Sequence, residues 1–144
     1  MKFWDTSAVV PLCVIEPGYG AVKSILTRDP SMAVWWATRT ECVSAVMRQT
    51  REGSLRGEDE RQARQVLGQL AEAWVEVQPS EILRSTAERL LAVHALRAAD
   101  AFQLAAALQW CQRQTTNVGF VSFDTRLREA GYREGFNLFP ATLT

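Results

Sequence analysis

Four carboxylates in this sequence follow or interrupt apolar runs, where acidic residues are unusual. Asp5 follows the apolar pair "FW", and Asp124 follows the run "GFVSF". Asp100 lies inside the apolar segment "LRAADAFQLAAAL", and Glu41 stands directly before "CVSAV". An ionised carboxylate that enters a protein interior costs several kcal/mol unless it is paired or bound to a metal. These four acids are therefore the first candidates for chemistry.

Three of the four acids also have a structural interpretation. Asp5 and Asp124 could cap the helices that follow them, and the spacing Thr38-x-x-Glu41 is that of a capping box. As a set in one crevice, however, four carboxylates would raise one another's pKa unless a cation intervenes. An all-oxygen site without His or Cys ligands suits Mg²⁺ or Mn²⁺, which can activate water for attack on a phosphate ester. We therefore interpret Asp5 as a metal ligand rather than a cap.

The elements that would position these acids alternate between strand and helix. Short apolar or β-branched runs predict five strands, at Lys2–Asp5, Met32–Ala37, Trp74–Gln78, Gly119–Phe123 and Asn137–Phe139. Helical periodicity predicts seven helices, at Ser7–Val14, Gly20–Thr27, Thr40–Arg51, Glu58–Ala73, Glu81–Val93, Ala98–Gln112 and Thr125–Ala130, the last ended by Gly131. This alternation predicts one α/β domain over residues 1–144, a three-layer α/β/α, Rossmann-like fold with a central parallel sheet of about five strands. Ligands of such sheets bind at the carboxyl ends of the strands, where Asp5 and Asp124 fall.

The composition excludes several functional classes. The net charge is zero, so no global basic field marks a DNA-coating protein. A single histidine, His94, excludes a ribonuclease that uses paired histidines. The three cysteines lack the spacing of a metal site, which predicts a reduced, cytoplasmic location. The sequence has no apolar run of about 20 residues, so no membrane span is predicted. We expect Met1 to be the native start.

Two other classes of phosphate chemistry fit less well. The segment "FWDTS" lacks the second Asp of the Asp-x-Asp phosphatase motif. A phosphoacceptor receiver domain would need a Lys after its last strand, but lysine occurs only at positions 2 and 23. The chain also has no Gly-rich phosphate loop.

Four segments carry a family resemblance, in order and across essentially the whole chain: "FWDTSAVV", "TRTECVSAV", "LRAADAFQLAAAL" and "FVSFDTRLREAG". Together they resemble the PIN domain, and most of all the small VapC-like ribonuclease toxins of bacterial and archaeal toxin–antitoxin pairs. The resemblance implies a Mg²⁺-dependent endoribonuclease, with Mn²⁺ as a possible substitute, in which Asp5, Glu41, Asp100 and Asp124 surround the metal.

The resemblance also implies roles for residues and partners around the metal. Ser7 and Ser122 would orient the carboxylates or the metal-bound water. An RNA substrate, a small cognate antitoxin protein and a homodimer are expected. A catalytically silent PIN fold that binds RNA or a partner is the alternative function.

Recruitment of RNA by a chain of zero net charge requires a local basic patch. Arg97, three residues before Asp100, and Arg126, two residues after Asp124, are candidates for phosphate contact. Either could equally be an ordinary surface arginine. Arg48 and Arg51 offer an alternative groove beside the second acid.

Overall fold

The computed structural model describes residues 1–143 and forms seven helices and five strands within them. In chain order these are β1 (Lys2–Trp4), α1 (Thr6–Cys13), α2 (Tyr19–Arg28), β2 (Met32–Trp35), α3 (Thr38–Arg51), α4 (Gly57–Ala73), β3 (Val75–Val77), α5 (Glu81–Val93), α6 (Ala98–Trp110), β4 (Gly119–Val121), α7 (Thr125–Arg133) and β5 (Asn137–Phe139). The predicted three-layer α/β/α fold is confirmed. No single helix within residues 1–143 is long and apolar enough to cross a membrane, although α5 and α6, bent by 119°, pass that test as a pair.

The five strands form one parallel sheet in the order β3-β2-β1-β4-β5. The central strand β1 pairs with β2 through Phe3 and Ala33, and with β4 through Phe3 and Phe120. After β3 the chain crosses to the other side of β1 to form β4, so the strand order reverses there. This reversal creates a crevice beyond the carboxyl ends of β1 and β4, which is where ligands bind in open α/β sheets.

Helices cover both faces of the sheet because successive strand residues point to opposite sides. Phe3 packs in the core beneath α5, α6 and α7, whereas Trp4 packs in the core beneath α1 to α4. Ala105, Ala106 and Ala107 of α6 are fully buried, and their small side chains let this helix approach the sheet closely. The helix that carries Asp100 is therefore held rigidly against the strands.

Several predicted element ends differ from the observed ones by one to three residues, and those of α7 and β2 are instructive. Gly131 does not end the last helix but lies inside α7, on the face towards the sheet, where an added Cβ would stand 3.4 Å from Leu138 Cδ2. The helix ends at Arg133, and Gly135 supplies the left-handed residue with φ +100°. Strand β2 ends at Trp35 rather than Ala37, because Trp36 turns out of the sheet and is 52% exposed.

Candidate functional site

The four acids predicted from the sequence line one cavity of about 430 Å³. We call this cavity the acidic crevice; Asp5, Glu41, Asp100 and Asp124 line it from the first turns, or the caps, of α1, α3, α6 and α7. An adjoining outer recess of about 880 Å³ shares three of these acids with it. Residues that are distant in sequence thus meet at the reversal of strand order.

Asp5 is held by three hydrogen bonds at the bottom of the crevice. Its Oδ1 accepts from the backbone N–H of Ser7 at 2.6 Å and from Ser7 Oγ at 2.6 Å, and its Oδ2 accepts from Ser122 Oγ at 2.6 Å. The residue is only 2% exposed. The pKa of Asp5 is raised to about 6, mainly because of burial and to a smaller extent because of the nearby charge of Asp124, while the hydrogen bonds from Ser122 and Ser7 oppose the rise.

Ser7 and Ser122 also bind the chain that follows β4. Ser7 Oγ accepts from the N–H of Phe123 at 2.8 Å, and Ser122 Oγ accepts from the N–H of Asp124 at 3.1 Å. Each hydroxyl therefore donates to Asp5 and accepts from a backbone amide. The two serines fix the position of the Asp5 carboxylate relative to Asp124.

The capping interpretation of two acids describes real contacts. Asp5 caps α1 through the Ser7 amide, so the expectation that it is a ligand rather than a cap is wrong as an exclusive choice. Asp124 caps α7, with its Oδ1 accepting from the N–H of Leu127 at 2.8 Å. Within residues 1–143, its Oδ2 accepts no hydrogen bond. Capping occupies part of each carboxylate and leaves lone pairs for another ligand.

Asp100 lies in the first turn of α6 and is half-buried. Burial is the largest cause that raises its pKa, and the charges of Asp124 and Glu41 raise it further. A backbone hydrogen bond and the positive charge, both from Arg97, act in the opposite direction. The charges of Asp124 and Glu41 thus act on the Asp100 carboxyl, so the three acids lie close enough to interact electrostatically.

The capping-box interpretation of Glu41 is wrong. The cap of α3 is Ala37, which makes no side-chain capping bond. The Oε1 atom of Glu41 instead accepts from Thr6 Oγ1 and, at 2.9 Å, from Gln103 Nε2. Its carboxylate therefore turns into the acidic crevice rather than back to its own helix.

Sequence reasoning missed Thr6 and Gln103. Gln103 is 2% exposed, and its Nε2 lies 3.0 Å from Thr6 Oγ1 and 3.0 Å from Thr38 Oγ1 in addition to its contact with Glu41. A signal was present, because Gln103 is the one polar residue between Asp100 and Gln109. Its spacing of three from Asp100 also puts both side chains on one helix face.

Three exposed arginines line the outer recess. Arg97 caps α6, Arg126 lies in the first turn of α7, and Arg48 lies near the end of α3 and lines the acidic crevice as well. Within residues 1–143, none of the three forms an ion pair with an acid. Arg51 lines neither cavity.

Two other polar groups near these helices have structural partners. His94 Nε2 lies 2.7 Å from Glu134 Oε2, away from the acidic crevice, and its side chain is 4% exposed. Arg128 is buried and donates from Nη1 to the carbonyl of Ser122 at 2.9 Å and from Nη2 to that of Pro140 at 2.8 Å. Burial lowers the pKa of this guanidinium. Arg128 thus links the residue after β4 to the residue after β5 by hydrogen bonds.

The donor set fits a hard divalent cation. The four acids of the acidic crevice offer only oxygen, and a cation would offset the neighbouring charges that, after burial, help to raise the pKa of Asp5 and Asp100. Among residues 1–143, no three acidic, histidine or cysteine side chains converge on a single ion position. Mg²⁺ commonly keeps several of its waters and takes only one or two carboxylates directly, so the set as arranged is compatible with it.

Comparison with known proteins decides the family. A model of the PIN domain matches residues 2–131. The chain belongs to the PIN domain family. This result confirms the family resemblance that the four acidic segments carry.

Solved structures share the fold of this PIN domain. A toxin–antitoxin complex from Klebsiella pneumoniae is similar to it with a TM-score of 0.63 and 16% identity, over 100% of this chain and 97% of that chain. FitAcB from Neisseria gonorrhoeae is similar with a TM-score of 0.67 and 16% identity, over 98% of each chain. No curated protein matches the sequence. At such identities the likeness concerns the fold.

Proposed function

We propose that this PIN domain is a Mg²⁺-dependent endoribonuclease and the toxin of a toxin–antitoxin pair. The observation that carries the proposal is the meeting of Asp5, Glu41, Asp100 and Asp124 in one crevice at the reversal of strand order. A fold without chemistry gains nothing from gathering carboxylates whose charges oppose one another. The arginines around the outer recess form no ion pair within residues 1–143, so their charge is available to an RNA backbone.

The four acids would hold the metal, and the rest of the site would hold the acids and the substrate. Bound Mg²⁺ supplies an activated water and offsets charge at the phosphoryl and leaving oxygens. Ser7 and Ser122 keep the Asp5 carboxylate from rotating, because both of its oxygens are hydrogen-bonded. Arg97 and Arg126 bind phosphates on either side of the reacting bond.

Cleavage of a mixed RNA pool tests the reaction. We expect fragments with Mg²⁺ or Mn²⁺ and intact RNA in EDTA, with activity restored when the metal is returned. Cleavage that persists in EDTA would contradict the metal requirement. Binding of RNA without cleavage under every metal condition would favour the silent PIN module instead.

The arginines that line the outer recess, which we call the basic rim, lead to a separate prediction. Arg97→Ala and Arg126→Ala should each weaken RNA binding and flatten its salt dependence by about 0.7 per lost phosphate contact in log–log slope, as for single strands. Fluorescence anisotropy over a salt series measures both effects. Metal affinity should change little because neither guanidinium is a ligand.

Arg61→Ala is the matched control for the rim variants. Arg61 pairs with Glu58 on α4, has a 76% exposed side chain and lines neither cavity. Its loss should leave the salt slope at the wild-type value. If both Arg97→Ala and Arg126→Ala bind RNA as wild type does, these two arginines do not contact the substrate. The RNA groove would then run past Arg48, the remaining arginine of the recess.

The proposed partners are an antitoxin and a second copy of the chain in the cytoplasm. The Klebsiella neighbour is a toxin–antitoxin complex, which supports an antitoxin partner. We expect the adjacent gene to encode a short DNA-binding protein that docks on α1 to α3. Production of this chain alone should arrest growth of its host, and co-production of that protein should restore it. Unimpaired growth without the partner would count against the toxin role.

The proposed homodimer is tested separately, because sedimentation of the purified chain measures its oligomeric state.

A further inference from the structure

A buried amide joins three of the helices that form the acidic crevice. Gln103 of α6 reaches Thr6 at the start of α1 and both Thr38 and Glu41 in the first turn of α3. Its Nε2 has two hydrogens and three acceptor oxygens within 3.0 Å. Thr6 Oγ1 in turn donates to the same Glu41 oxygen. Glu41 Oε1 is thus held by two donors from two other helices.

The contact with Glu41 fixes which end of the amide faces α3. Exchange of the amide oxygen and nitrogen would place two acceptors 2.9 Å apart, at the Gln103 and Glu41 side chains, with no hydrogen between them. With Nε2 towards Glu41, Gln103 Oε1 is buried without a hydrogen-bond partner within residues 1–143. Buried acceptors without partners are rare and unfavourable. An apolar residue would suit this stretch of α6 better if packing alone mattered.

We propose that Gln103 is a positioning residue that aims the Glu41 carboxylate at the metal in the acidic crevice. The inference rests on the proposed function for the role of the metal. A local departure from good packing is expected where a site requires it. Within residues 1–143, Glu41 accepts hydrogen bonds from no crevice residue other than Gln103 and Thr6, so loss of the amide would leave Thr6 as the single donor that orients its carboxylate.

Mn²⁺ titration of the purified chain by calorimetry provides the first test. Gln103→Met keeps the length of the side chain and removes the amide. Loss of a partner that orients a metal ligand typically costs 10- to 100-fold in metal affinity, so we expect the Mn²⁺ Kd to rise by about 10-fold or more. Gln109→Met, an exposed change on the same helix, should leave the Kd unchanged.

A double-mutant cycle with Glu41→Gln separates positioning from general damage to the fold. If Gln103 acts through Glu41, Gln103→Met should have little further effect on the Mn²⁺ Kd once Glu41→Gln is present. An undiminished effect in that background, or a wild-type Kd for Gln103→Met, would overturn the proposal.

Urea unfolding of the same four proteins in EDTA gives a readout without metal or RNA. The two substitutions should be non-additive, because Gln103→Met removes the hydrogen bond that Glu41→Gln weakens, a neutral amide oxygen being a poorer acceptor than a carboxylate. Additive effects would overturn the positioning role whether or not the protein cleaves RNA. If the free energies of unfolding show clear coupling between the two substitutions but the protein cleaves no RNA, the proposed ribonuclease activity would be overturned. The role of Gln103 in orienting Glu41 would still stand.

Discussion

Asp5→Asn should reduce RNA cleavage by about 10³-fold, because loss of several kcal/mol of metal-assisted transition-state stabilisation changes a rate by that factor. Asn keeps the shape of the side chain and can still accept both bonds from Ser7. Its amide nitrogen would face Ser122 Oγ, which has a lone pair to offer. The fold should therefore survive, and single-turnover cleavage of a fluorescent RNA measures the loss directly.

The matched control for this prediction is Asp59→Asn. Asp59 is an exposed acid in the first turn of α4 and lines neither cavity. The substitution Asp59→Asn removes the same charge from the chain without touching the crevice. The RNA cleavage rate of this variant should therefore equal that of wild type. Asp100→Asn should behave as Asp5→Asn does. Wild-type cleavage by both crevice variants would show that these acids do not carry the reaction.

The metal-free protein should lose stability as the pH rises from about 4 to about 7. The pKa of Asp5 is raised from 3.8 to about 6 in the fold, so the folded state retains a proton that the unfolded chain releases. Its contribution is therefore fully present below pH 3.8 and is lost as the pH passes about 6. For this 2% exposed group the change is about 3 kcal/mol. Urea unfolding in EDTA at several pH values measures it.

Comparison with Asp5→Asn isolates this contribution. The difference in unfolding free energy between wild type and Asp5→Asn should shift by about 3 kcal/mol in favour of the variant across that pH range. Asp29→Asn gives a control of opposite sign, because hydrogen bonds from the chain's amino terminus and Lys2 lower the pKa of Asp29. If the free energies of unfolding of wild type and Asp5→Asn change with pH in parallel, the prediction is contradicted.

Mg²⁺ or Mn²⁺ should raise the wild-type Tm by binding the folded state.

The acids were predictable from sequence because two simple rules locate them. Asp5 and Asp124 end apolar strands, and parallel strands bring their carboxyl ends to one edge of the sheet. Asp100 interrupts an apolar helix without the interleaved charges of a solvated face. The family resemblance then joined Glu41 to the set. These patterns are local, so each can be seen within about ten residues of the chain.

The contacts among polar side chains were not predictable in this way. Gln103 meets Glu41 across 62 residues and Thr6 across 97 residues, and no local pattern encodes such pairs. Thr38 has the spacing of a capping residue, but it is fully buried against Gln103 and cannot turn to its own helix end. Gly131 has the residue type of a helix stop, but the left-handed residue that follows α7 is Gly135. Tertiary packing decided the contacts of Gln103 and Thr38.

The order of the strands also governs when a newly made chain acquires its site. Asp5 is bonded to Ser122, which lies 117 residues later, and β1 gains its second neighbour only when β4 arrives. Synthesis proceeds from the amino terminus, so the crevice remains open on one side until almost the whole polypeptide has been translated. A polypeptide that terminates before β4 lacks both Asp124 and the strand that supports it. Translation products that end before β4 therefore carry no complete set of acids, so the proposed cleavage requires a chain that extends at least through Asp124.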